Sequence, residues 1–119
     1  MISTHVLDTA RGRPAVGVPV TLELIEVAGA AEQGREVARE VARAATDADG
    51  RVRELVASGS SLGAGRYRLR FDTGTYFGAL GVDAFYPEVA VVFVVADGTQ
   101  HYHVPLLLSP YGYSTYRGS

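Results

Sequence analysis

Between Arg66 and Asp72 the chain alternates without a break, with Arg66, Arg68, Arg70 and Asp72 on one parity and Tyr67, Leu69 and Phe71 on the other. Successive side chains of a β-strand point to opposite faces, so this stretch reads as a strand with one face in an apolar core and one in water. Val20, Leu22 and Leu24 alternate with Thr21 and Glu23 in the same way. Ile2 to Asp8 and Pro19 to Val27 read as two strands joined by the turn-rich Arg11-Gly12-Arg13-Pro14. Asp47-Ala48-Asp49-Gly50 is a tight turn, its glycine free to take a positive φ. A short helix is expected at Thr75 to Leu80, between Thr73-Gly74 and Gly81. Short runs between Gly, Pro and Asp punctuation, with no fixed repeat and no internal linker, predict one mostly β domain over residues 1–119.

Two segments depart from alternation. Val89 to Ala96 is almost wholly apolar, and so is Val104 to Leu108. A strand in a two-layer sandwich needs only one apolar face, and this chain offers little helix to cover a second. Either these are central strands buried within one subunit, or another subunit covers them in a closed homo-oligomer. Residues 28 to 45 read two ways. Val37 and Val41, with Glu32, Glu36, Glu40 and Arg35, Arg39, Arg43 interleaved, suit a helix, whereas the flanking strands and the turn that follows suit a hairpin. The reading adopted is a long loop over 28 to 35 followed mostly by strand.

The bulk composition excludes several classes. A formal net charge of -2 gives no basic surface for nucleic acid. With no cysteine there is no disulfide, no thiolate metal site and no cysteine nucleophile. No apolar run approaches the ~20 residues that span a bilayer. The opening Met1-Ile2-Ser3-Thr4-His5 does not read as a signal peptide, so the cytoplasm is the expected compartment.

The groups left for chemistry are three histidines, eleven arginines and a hydroxyl-rich carboxyl end. His101 and His103 are two apart on an expected strand and share a face; with His5 they offer a zinc alternative. Ser109, Ser114 and Ser119 lack the local signature of a catalytic nucleophile, and the glycine spacings do not match a phosphate loop. The final stretch, Tyr111 to Ser119, keeps aromatic and hydroxyl residues to its last position, where chains ordinarily fray into small polar residues. Either Tyr111, Tyr113 and Tyr116 pack into the protein or an interface, which would also fix the α-carboxylate of Ser119, or the last three residues are disordered.

Ser3-Thr4-His5-Val6-Leu7-Asp8, Gly12-Arg13-Pro14-Ala15 and Thr46-Asp47-Ala48-Asp49-Gly50-Arg51 resemble the 5-hydroxyisourate hydrolase family. So do Phe85-Tyr86-Pro87-Glu88-Val89, His101-Tyr102-His103-Val104-Pro105-Leu106-Leu107-Leu108-Ser109-Pro110 and the closing Tyr116-Arg117-Gly118-Ser119. That tetrapeptide, with His5, Arg51 and His103, separates the resemblance from transthyretin, the hormone carrier of the same fold. The resemblance implies an all-β, transthyretin-like (prealbumin-like) sandwich of eight strands with one short helix. It also implies a homotetramer, a dimer of dimers, with active sites at the dimer–dimer interface.

The implied reaction is hydrolysis of 5-hydroxyisourate to 2-oxo-4-hydroxy-4-carboxy-5-ureidoimidazoline in urate breakdown. Water attacks a ring carbonyl carbon and the adjacent carbon–nitrogen bond breaks. His5, Arg51, His103 and Ser119 are the implied catalytic residues, with Tyr116, Arg117 and Gly118 supporting the site. The initial assignment puts His5 and Ser119 on the water and His103 with Arg51 on the substrate; His101 is placed outside. No metal or organic cofactor is expected, because the substrate already carries an electrophilic carbonyl. The competing readings are a non-enzymatic binding protein on the same fold and a carboxypeptidase-accessory type of sandwich module.

Overall fold

The computed structural model describes residues 1–28, 34–60 and 62–119. The chain runs β1 (Ile2–Asp8), β2 (Arg13–Pro14), β3 (Pro19–Ala28), β4 (Arg35–Ala45), β5 (Arg51–Val56), β6 (Gly65–Phe71), α1 (Thr73–Ala79), β7 (Val89–Val95), β8 (Tyr102–Ser109) and β9 (Gly112–Thr115). Eight strands have four residues or more, and β2 has two. They form a sheet in the order β2-β1-β8-β9, with β5 also on β1, and a second sheet in the order β4-β3-β6-β7. The apolar parities found in the sequence meet between these layers, where Ile2, Val6, Leu22, Leu69, Phe71, Leu106 and Leu108 are buried. This is the expected sandwich.

The helix starts two residues earlier than expected, at Thr73. Asp72 accounts for the shift: its carboxylate accepts from the Thr75 amide at 3.1 Å and the Thr75 hydroxyl at 2.8 Å, capping the first turn. Tyr76 on this helix donates its hydroxyl to the buried Asp8 carboxylate at 2.8 Å, and so ties the helix to the end of β1.

Residues 35–45 form a strand, as adopted over the helical alternative, and pair with β3 antiparallel from Pro19↔Ala45 to Ala28↔Arg35. Of the loop expected over 28 to 35, residues 29–33 lie outside the described residues, and both Ala28 and Arg35 already belong to strands. The two apolar runs part company. In β8, Val104, Leu106 and Leu108 are buried within the chain. In β7 only Val89 and Val95 are fully buried, while Val92 is 51% and Val94 65% exposed. Tyr111, Tyr113 and Tyr116 also stay on the surface, so the chain by itself does not bury them. Among the described residues no helix is long and apolar enough to cross a membrane.

Thr46 holds the loop that leads into β5. Its hydroxyl donates to the Ala15 carbonyl at 2.6 Å and accepts from the Val18 amide at 2.9 Å, all in the interior. Thr46→Val keeps the shape and leaves both backbone groups without that partner. The expected loss is about 1–3 kcal/mol, seen as a lower denaturation midpoint at unchanged slope. A midpoint equal to that of the unmodified protein contradicts this role.

Candidate active site

The site grows from β1. Its residues alternate between faces, so Ile2, Thr4, Val6 and Asp8 turn into the sandwich while Ser3 and His5 share the outer face. On one side β8 runs parallel to β1 in the register Ser3↔His103 and His5↔Pro105. On the other, β5 runs antiparallel with His5 opposite Arg51. Residues far apart in sequence are therefore set on one face by two ladders.

Arg51 is delivered by the Asp47–Gly50 turn. The Asp47 carboxylate accepts from the Arg51 amide at 3.0 Å, and the Gly50 carbonyl accepts from the Val6 amide at 2.7 Å. Gly50 has φ 75°, and a Cβ there would stand 2.5 Å from the Val6 carbonyl oxygen. Only glycine closes this turn so tightly on β1. Arg53 is engaged by Asp49 at 3.0 Å and Asp47 at 3.7 Å. Among the described residues no carboxylate pairs with Arg51, which leaves its planar set of donors available to a ligand.

The carboxyl end closes the site. After β9, the Gly118 amide donates to the His103 carbonyl at 2.8 Å. A Cβ on Gly118 would lie 2.5 Å from Cδ2 of His103, so this glycine lets the segment pack directly on the imidazole. Arg117 anchors the segment, with its guanidinium carbon 4.7 Å from the centre of the Tyr102 ring and an Nη2 donating to Gln100 at 3.1 Å. Tyr116 lies off to the side, 58% exposed, near Val94 and Phe93.

These elements enclose a hollow of about 220 Å³ lined by Ser3, Thr4, Arg51, Arg53, His101, His103 and Ser119. Of the expected site residues, Arg51, His103 and Ser119 meet there. His5 flanks the hollow on the same face without lining it, and Gly118 and Arg117 hold the wall. His101, expected outside, lines the hollow beside His103, their ring centres 6.3 Å apart. The resemblance gives Ser3 no role, yet its hydroxyl lies 2.9 Å from Nε2 of His101 and 2.8 Å from Nδ1 of His103. Its sequence signals are parity, two residues before His5 on the same face, and its place at the head of the Ser3–Asp8 motif. Among the described residues no three His, Cys, Asp or Glu side chains are placed to hold a metal ion, so the zinc alternative lacks its ligand geometry.

Burial pushes His103 below the ordinary imidazole value of 6.5, and the charges of Arg51, His101 and His5 push the same way, against a hydrogen bond with the Ser3 backbone. With Nδ1 engaged by Ser3, the neutral ring presents Nε2 as its remaining nitrogen. The hollow thus combines an imidazole biased toward its neutral form, a fixed cation and a hydroxyl, a set suited to adding water to a polarised carbonyl.

The family model described as HIUase/Transthyretin family matches residues 2–118. The chain is 47% identical over 122 residues to 5-hydroxyisourate hydrolase 2 of Rhizobium meliloti, covering 99% of this chain and 95% of that one. It is similar to the solved 5-hydroxyisourate hydrolase of Klebsiella pneumoniae (36% identity, TM-score 0.79, 99% and 97% of the two chains). It is also similar to transthyretin from Sparus aurata (30% identity, TM-score 0.83, 98% and 95%). The backbone fits carrier and hydrolase about equally, so the discrimination between them lies in the side chains.

The lowered His103 value has a direct check by NMR titration of the imidazoles. His103 is expected to stay neutral to a lower pH than an exposed histidine, with its midpoint under 6.5. Arg51→Gln removes a repelling cation and should move that midpoint upward. A midpoint at or above 6.5, or no upward movement in the variant, contradicts the electrostatic picture.

Proposed function

The chain belongs to the HIUase/Transthyretin family, and from that premise we propose that the hollow around His103 is where it hydrolyses 5-hydroxyisourate. The product is 2-oxo-4-hydroxy-4-carboxy-5-ureidoimidazoline, and the step belongs to urate catabolism. The observation that carries the reading is the meeting of His103, Arg51 and Ser119 in one cavity of a chain 47% identical to a 5-hydroxyisourate hydrolase. We take residues 1–119 as one hydrolase domain and assign it to the cytoplasm.

Water attacks a ring carbonyl carbon of the substrate. A proton must leave that water, negative charge develops on the carbonyl oxygen, and the ring nitrogen must gain a proton as its bond to carbon breaks. In this reading the two histidines exchange roles, with His103 rather than His5 on the water. His103, held neutral and turned into the hollow, suits the proton acceptor, and the Ser119 hydroxyl beside it orients the water. Arg51 stabilises the oxyanion with charge-assisted hydrogen bonds. His5, flanking the hollow opposite Arg51, supplies the proton to the leaving nitrogen. Arg117 and Gly118 hold the segment that carries Ser119, and Tyr116 caps its outer side.

The proposed assembly is a homotetramer, a dimer of dimers with the sites at the dimer–dimer interface. Its support is the exposed apolar face of β7, Val92 and Val94, continued by Tyr116. Clusters of large apolar side chains on a surface commonly mark an interface. Sedimentation should find four copies, and Val94→Glu should yield smaller species; a monomer at micromolar concentration would rule the assembly out.

The function is tested by generating 5-hydroxyisourate in place from urate with urate oxidase and following its ultraviolet decay. The protein should accelerate decay, and His103→Asn should lose on the order of 10²–10⁴-fold of that acceleration. Decay at the uncatalysed rate with folded protein would favour the binding-protein reading instead.

A further inference from the structure

The hydrolytic reading leaves a proton to account for. Water supplies an OH to the carbonyl carbon and one proton to a nitrogen that ends in a ureido group. A ureido nitrogen is not basic, so it holds no extra proton. The new carboxyl group, with an ordinary carboxylic pKa near 4, ionises at neutral pH. From a neutral ring, each turnover therefore sends one proton to solvent.

Behind His103 lies a route of the right form. Ser3 is buried in the sheet, and its hydroxyl bridges Nδ1 of His103 at 2.8 Å and Nε2 of His101 at 2.9 Å. A serine hydroxyl has one proton to donate and lone pairs to accept. If Nδ1 of His103 donates to Ser3, then Ser3 donates to Nε2 of His101, and the tautomers of the two rings are coupled through one oxygen. That arrangement leaves Nε2 of His103, a residue lining the hollow, with a free lone pair. His101 stands at the exposed end of the chain of groups, where its ring exchanges with solvent. Arg51 also lines this hollow, and His5 flanks it; an extra proton held on His103 is disfavoured first by burial and then by the charges of these neighbours.

We propose that Ser3 and His101 are positioning residues that form, with His103, a proton relay out of the active site. The proposal rests on the hydrolytic reading of the same hollow. Nε2 of His103 takes the proton of the attacking water as the oxygen bonds to the carbonyl carbon. The Nδ1 proton of His103 passes to Ser3 Oγ while the Ser3 hydroxyl proton passes to Nε2 of His101. His101 then gives up a proton to solvent; the new carboxyl group loses another, and His5, having protonated the leaving nitrogen, takes one back, so the net release is the one proton required. His103 ends neutral, with its proton on Nε2, and returns to its starting tautomer by exchange.

The test compares His101→Gln and Ser3→Ala with the unmodified enzyme in the 5-hydroxyisourate assay. Glutamine keeps a hydrogen-bonding group for Ser3 but cannot pass a proton on, and His101 is exposed, so folding is little disturbed. His101→Gln should lower kcat by about tenfold with KM nearly unchanged. Added imidazole, which can carry the proton from Ser3, should restore much of the loss. Ser3→Ala should lower kcat without rescue and, in ¹⁵N spectra, release His103 from its Nδ1–H tautomer. An unchanged kcat for His101→Gln beside an active unmodified enzyme overturns the relay alone, as does a loss that imidazole leaves untouched. An unmodified protein that leaves the decay unaccelerated overturns the hydrolytic reading and the relay together.

Discussion

Seven consecutive residue pairs, Ile2↔Tyr102 to Asp8↔Leu108, join the start of the chain to its last third in parallel. A parallel pair cannot be closed by a tight turn; it needs a long crossover, and here the partners lie about a hundred positions apart. The rest of the structure depends on this ladder. Its inner face contributes Ile2, Val6, Leu106 and Leu108 to the core, while its outer face sets Ser3 and His5 beside His103. Because strand alternation has period two, a slip of one residue would turn the histidines inward and the aliphatic side chains out. The apolar core therefore enforces the register that the site requires. Stability and chemistry are two faces of the same pairing.

The smaller devices serve that ladder. Gly50 brings the turn before Arg51 to within contact of β1, and Gly118 brings the closing segment onto the His103 ring. In both places a methyl group would collide, so the absence of a side chain is what lets a neighbour approach. Arg53 is held by Asp47 and Asp49 on the turn, which separates its role from that of Arg51 in the hollow. The site is accordingly assembled from four separate stretches of chain, none of which carries the chemistry alone.

The strands were legible because their alternation or apolar runs reflect packing directly; β1 has the bounds read from its pattern, β3 runs one residue further at its end, and β6 begins and ends one residue earlier. β4 was ambiguous for a physical reason. Nearly all its side chains are exposed, so neither face leaves an apolar parity, and only pairing with β3 makes it a strand. The helix boundary depended on the Asp72 cap. Motif resemblance pointed to Arg51, His103 and Ser119, which the fold gathers in one hollow. Ser3 and His101 escaped because their significance is a contact between residues 98 positions apart, made by the parallel register and invisible to local spacing. The exposure of Val92, Val94 and Tyr116 was likewise beyond local reading, since an apolar run looks the same whether its own subunit or another covers it.

The central claim is that His103, kept neutral by burial and by the cations around it, is the group that takes the proton from water. The most direct measurement is the pH dependence of kcat/KM for 5-hydroxyisourate, set beside the NMR titration of His103 in the same protein. Because kcat/KM reports the ionisations of free enzyme, its acidic limb should coincide with the His103 midpoint, below 6.5. In Arg51→Gln both should move upward together. An acidic limb that ignores the His103 midpoint, or that stays in place when that midpoint moves, would contradict the account.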